Sequence, residues 1–152
     1  MQHFRIRAVV ASTAMALIVA PLSASTDVVS ARKAGFRELG SAFKGVNDSI
    51  RSGEVQSVAL GKYAEQIRKA SNGIYRWFPK GSGPKAGVKT AALAGIWAKP
   101  AAFKKAQDGL ATATTAFEKA VKSKNLDSIR TATRNLGGTC KACHDSFKAK
   151  DD

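Results

Sequence analysis

The chain is poor in residues that brace a fold or ligate a metal. It has two cysteines, Cys140 and Cys143, in 152 residues, too few for a disulfide-stapled scaffold. Both methionines, Met1 and Met15, and one of its two histidines, His3, fall in the first fifteen positions, so only His144 lies beyond them. Acidic residues number 11 against 25 basic ones, for a net charge of +14. No uncharged apolar run reaches the roughly 18 residues that a membrane-spanning helix needs. No segment alternates with period two over a useful length, so β-strands have no support. What is present is an ordinary globular composition, 44% apolar and 24% charged, which excludes wholesale disorder and suits one domain.

The N-terminus reads as a leader. Arg5 and Arg7 precede an uncharged, mostly apolar run of thirteen residues from Ala8 to Ala20. Small residues follow in Pro21-Leu22-Ser23-Ala24-Ser25. That order is expected of a secretory signal peptide cleaved near Ala24, leaving residues 25–152 as the mature domain outside the cytoplasm, in the periplasm. Arg5-Ile6-Arg7 is not a twin-arginine pair, which favours export of an unfolded chain. Loss of Arg5 and Arg7 leaves 23 basic and 11 acidic residues, a net +12. In that compartment a nucleic-acid partner is not expected. The remaining charge reads as a solvated lysine-rich surface, or as steering toward an acidic protein or anionic lipid.

Four stretches carry apolar residues at alternating steps of three and four. They run from Val29 to Ile50, Leu60 to Trp77, Phe103 to Ala120, and Leu126 to Phe147. This repeat places one apolar seam on each of four helices. Asp27 is expected to cap the first helix, Ser52-Gly53 to end it, and Asn125 or Asp127 to cap the fourth. Pro100 suits the first turn of the third. The stretch from Pro79 to Lys99 exceeds the few residues that antiparallel neighbours need. The expected fold is an all-α, antiparallel four-helix bundle with one long crossing loop between helices two and three. Arg32 on an otherwise apolar stripe, and Cys140 and Cys143 on the last one, suggest that the bundle encloses something other than protein.

Cys140-Lys141-Ala142-Cys143-His144 is a CxxCH pentapeptide, the pattern of covalent haem attachment. Two thiols three positions apart on a helix can each add to one vinyl group of the macrocycle, and the following histidine can turn toward the iron. A thioredoxin-like pair would sit at a helix N-terminus in a βαβ context, whereas this one is near the end of the last helix. A zinc site wants four N or S ligands; the mature chain offers three, so a carboxylate would have to complete it. A Cys140–Cys143 disulfide would leave His144 unexplained. The expected cofactor is one covalent haem c with His144 as metal ligand. With no Met and no second His in the mature chain, the usual His/Met and His/His ligations cannot form within it. A lysine would have to lose its proton, which costs several kcal/mol unless it is buried.

Taken together, Arg32-Lys33-Ala34-Gly35-Phe36, Gly95-Ile96-Trp97 and Cys140 to Asp145 make the whole mature chain resemble the cytochrome c' family, the four-helix-bundle class of c-type cytochromes. The resemblance implies that Arg32 pairs with a haem propionate, that Phe36 packs over the distal face, and that Trp97 lies near the haem edge. A snorkelling surface arginine, simple core packing of Phe36 and loop packing of Trp97 stand beside those readings. Relatives with Met near the Phe36 position are six-coordinate, of the cytochrome c-556 type; Phe36 points to the five-coordinate branch. The family's basic residue four positions after the histidine is Lys148 here, a point charge and not a planar fork. Homodimers through the first two helices are common in the family.

Two functions follow from different classes. One is binding of NO and CO in a pocket without a donor to favour O₂. The other is passage of single electrons to a redox partner, possibly acidic. A six-coordinate electron-transfer cytochrome with an unidentified sixth ligand is the alternative. Peroxidase-type chemistry would need a distal acid/base that no second histidine supplies, so an enzyme is not expected.

Overall fold

The computed structural model describes residues 22–85 and 88–150; all but the last three residues of the expected leader lie outside these. Four long helices, α1 (Leu22–Ser52), α2 (Val58–Gly73), α4 (Pro100–Ser123) and α5 (Leu126–Phe147), make the bundle, and α3 (Gly95–Ala98) is a single turn in the crossing segment. The longest interfaces are α1 with α2, α2 with α4, and α4 with α5, while α1 meets α5 over a shorter length. The core is drawn from the expected seams: Val46, Leu60, Ile67, Phe117, Ile129 and Leu136 are all but fully buried. None of the described helices is long and apolar enough to cross a membrane.

Local chemistry sets most helix ends. The Ser57 side chain accepts from the Leu60 amide at 3.2 Å, and Asn125 from the Ser128 amide at 2.8 Å, each satisfying one of the orphan donors of a first turn. Asn125 is thus the cap, with Asp127 in the turn it begins. Pro100 opens α4, where its missing N–H costs nothing. Gly53 breaks the α1–α2 corner at a φ of 77°, which only glycine adopts without strain.

Two expectations fail locally. Asp27 does not cap α1, because the helix begins at Leu22 and Asp27 lies within it. The second helix stops at Gly73, short of Trp77. There the ladder tightens into turns, with Arg76 N–H donating to Gly73 O at 2.9 Å and Trp77 N–H to Ile74 O at 3.4 Å. The buried Gln107 amide of α4 donates a second, shorter bond to Ile74 O at 3.1 Å and ties that ending to α4. The 3.6-residue pattern persists past the helix because a tight turn keeps Trp77 half-buried against the same core.

The crossing segment is tied to the end of α5. Leu93 N–H donates to Phe147 O at 3.0 Å and Ala149 N–H to Ala91 O at 2.8 Å, an isolated antiparallel bridge between Ala92 and Lys148. These bonds bring the loop over the segment that carries His144.

Candidate haem site

Cys140, Cys143 and His144 lie in the last two turns of α5, where spacings of three and four put residues on neighbouring parts of one helix face. Cys140 is half-buried and packs against the hydrophobic core. Cys143 and His144 reach the wall of a cavity of about 360 Å³ at this end of the bundle, within the usual range of ligand pockets. Burial pushes both thiols above their ordinary pKa, and at Cys143 the neighbouring Cys140 adds to the effect.

The cavity is apolar inside and basic at its edge. Phe36, Ile74, Phe78, Ile96, Phe103 and Phe147 supply its hydrophobic wall. Their rings interlock: Phe78 meets Phe103 at 4.9 Å between centroids, and Phe103 meets Phe147 at 5.1 Å, both edge-to-face. Arg32, Lys33, Arg37 and Lys148 also line it, with no acidic residue among the lining set.

Arg32 is the most informative of these. It is only 3% exposed, and burial lowers its pKa from the ordinary value, yet a guanidinium stays charged in a protein. Its donors reach neutral acceptors: Thr90 Oγ1 at 2.9 Å, the Ser82 carbonyl at 3.2 Å, Ser82 Oγ at 3.3 Å and the Trp77 carbonyl at 3.5 Å. The charge sits 4.7 Å over the Phe78 ring. No carboxylate pairs with it among the described residues. A buried cation oriented by neutral dipoles on a cavity wall is the arrangement expected of a site for an anionic group.

The expected site residues are therefore brought together in part. Arg32, Phe36, Cys143 and His144 share the cavity, and Cys140 stands behind it. Trp97 does not line it: its Nε1 donates to the Pro79 carbonyl at 3.0 Å and its ring lies 6.1 Å from Phe78, one ring back from the wall. Ser82 and Thr90, which hold the arginine fork, escaped sequence reasoning. Both belong to a stretch that reads only as turn and linker, and their contacts with Arg32 span 50 and 58 residues. Phe103 and Phe147 did carry a signal, since each is the end residue of a helical seam.

These residues fit a haem. The apolar wall suits the macrocycle, the buried Arg32 suits a propionate, and a thiol with an imidazole on the next residue suits attachment and ligation. Among the described residues, no three of the His, Cys, Asp and Glu side chains gather to hold a bare metal ion instead.

A sequence model of the family described as cytochrome c' matches residues 27–148. The chain belongs to the cytochrome c' family. Members of this family carry a single covalently attached c-type haem with its iron, and that haem is the cofactor of this chain. The cytochrome c' of Rhodopseudomonas palustris is 33% identical over 128 residues, spanning 84% of this chain and 85% of that protein. Among solved structures, a nitric oxide complex of a cytochrome c prime variant from Alcaligenes xylosoxidans superposes with a TM-score of 0.73 at 23% identity, over 84% of this chain and 97% of that one. A cytochrome c' with ligand-controlled dimer dissociation reaches 0.76 at 21% identity, over 86% of this chain and all of that one. Both structural likenesses speak to the bundle fold.

Proposed function

We propose that the mature chain is an exported, periplasmic cytochrome c' in which Cys140 and Cys143 hold the haem, His144 is the sole protein ligand of the iron, and Phe36 covers the sixth position. The observation that carries this reading is the composition of the cavity wall. It joins Cys143, His144, Phe36 and a buried Arg32, and it contains neither a methionine nor a second histidine. Ferrous haem in such a site supplies an iron that takes NO or CO at the open position and can pass a single electron.

The side chains then divide the work. Arg32, oriented by Ser82 and Thr90, binds a propionate and fixes the rotation of the group in its cavity. Phe36, Phe78 and Phe103 exclude water and make any incoming ligand displace an aromatic ring. Phe36 offers no hydrogen-bond donor, so the position it covers favours NO and CO over O₂. It offers no proton acceptor either, which supports a binding and carrier role over catalysis. The basic edge formed by Lys33, Arg37 and Lys148 suits an acidic redox partner. A homodimer through α1 and α2 belongs to the same proposal; Val58, 78% exposed at the start of α2, is an apolar side chain that such a contact would cover.

Titration of the ferrous haem-loaded protein with NO, CO and O₂, followed by its optical spectrum, tests the reading. Saturable spectral shifts with NO and CO are expected, with air-level O₂ producing only the ferric spectrum and no oxy complex. A spectrum indifferent to CO would reject an accessible sixth position.

A further inference from the structure

We infer that Trp77 is a positioning residue for Phe36 and thereby sets how readily small ligands reach the haem iron; this rests on the reading of Phe36 as the cover of the sixth position. Phe36 is half-buried on α1, on the cavity wall. Its ring meets Trp77 edge-on, with centroids 5.0 Å apart and planes at 75°. Phe78 closes a second side at 6.1 Å and 61°. Trp77 itself is absent from the cavity lining, so it stands behind Phe36.

The indole has little room to withdraw. A Cβ added at Gly35 of α1 would fall 2.4 Å from Trp77 Cζ2, and one added at Gly73 of α2 would fall 3.1 Å from Cζ2 and Nε1. The ring is therefore wedged into a notch that two glycines open between α1 and α2, where any larger residue would force it to shift. Its backbone is tied down as well, with its carbonyl accepting from Arg32 at 3.5 Å. A ligand that reaches the iron by pushing Phe36 aside must work against an indole already packed on α1 and α2. The stiffness of the cover is thus a property of the α1–α2 notch.

The test uses the complete haem-loaded protein. The ferrous CO association rate is measured for wild type, Trp77→Leu, Trp77→Phe and Phe36→Ala, and for Phe36→Ala combined with Trp77→Leu. An edge-to-face pair contributes enough that losing it should raise the rate about three- to tenfold in Trp77→Leu, while Trp77→Phe stays within about twofold of wild type. A crystal structure of Trp77→Leu should show Phe36 in a second rotamer. Because Trp77 acts through Phe36, adding Trp77→Leu to Phe36→Ala should change nothing further. Should Trp77→Leu not fold, Gly35→Ala displaces the same indole and should shift the rate in the Phe36 protein only. A rate unchanged by Trp77→Leu beside a faster Phe36→Ala would overturn the inference, as would a Trp77 effect that persists without the Phe36 ring. A Phe36→Ala protein with the wild-type rate would instead remove the reading of Phe36 on which the inference stands.

Discussion

Replacing Arg32 by methionine should cost stability with haem and be nearly neutral without it. The guanidinium is almost fully buried and makes four hydrogen bonds of 2.9–3.5 Å to uncharged acceptors. Bonds of this kind contribute about 1.5–3 kcal/mol each at best. Against them stands the desolvation of an unpaired charge, several kcal/mol after relaxation. Three of the four bonds are 3.2 Å or longer and fall short of that best case, so in a chain without haem the gain and the cost are of similar size. Ser82 Oγ keeps its bond to the Pro79 carbonyl at 2.8 Å, and Thr90 Oγ1 keeps the Ala92 amide at 3.1 Å, so of the four acceptors only the Ser82 and Trp77 carbonyls are left without the bond they had. Arg32→Met should then change stability by no more than about 1 kcal/mol, with either sign. On the proposed pairing of Arg32 with a propionate, removing the cation from the haem-loaded protein leaves that propionate without its partner, and breaking a buried pair costs about 3–5 kcal/mol. Urea unfolding followed by helical ellipticity, on wild type and Arg32→Met in both the haem-loaded form and a Cys140→Ala, Cys143→Ala form, measures the coupling directly. Equal losses in both forms would refute the reasoning, because Arg32 would then serve the fold and not the cofactor.

The remaining expectations are simpler to read. Either single substitution, Cys140→Ala or Cys143→Ala, should leave one thioether, visible in the reduced pyridine complex as a red-shifted α-band, whereas the double substitution should remove haem staining on a denaturing gel. His144→Gly should retain the covalent haem yet lose the ligand field of the imidazole, and added imidazole should restore the wild-type spectrum. Asp48 is held below the ordinary carboxylate pKa by its hydrogen bond from Lys44, and Asp108 by those from Lys104 and Tyr75. A depressed folded pKa contributes stability that is complete above the unfolded value of about 3.9 and disappears as pH falls through the folded one. A carboxyl NMR titration should therefore place both midpoints below that value. Tyr75 is raised by its hydrogen bond to Asp108, so Asp108→Asn should bring its absorbance titration back toward an ordinary tyrosine.

What could be read without coordinates follows from how local each signal is. The seams Leu60–Ile67, Leu110–Phe117 and Ile129–Leu136 became core because a helical period survives any arrangement of the bundle. Asn125, Pro100 and Gly53 end or begin helices through bonds and dihedrals within a few residues. The attachment pentapeptide is likewise complete in five consecutive positions. Arg32 was legible by contrast, as a charge on an apolar stripe. The neutral cradle around Arg32 was not, since Ser82 and Thr90 reach it from across the bundle. The direction of Trp97 was not legible for the same reason: its ring is held by Pro79 and Gly83 within the crossing segment and lies 5.9 Å from the Arg32 guanidinium, where no periodicity constrains it. Asp27 looked like a cap because aspartate favours that place, but the helical stretch begins before it.

The account turns on His144 as the only protein ligand of the iron. Resonance Raman spectra of the ferric and ferrous haem-loaded protein, recorded before and after CO, test that point most directly. High-spin, five-coordinate marker bands in both oxidation states, with a six-coordinate CO form replacing the ferrous one, are the predicted result. Low-spin, six-coordinate bands that CO leaves unchanged would contradict it and reveal a sixth ligand from the chain.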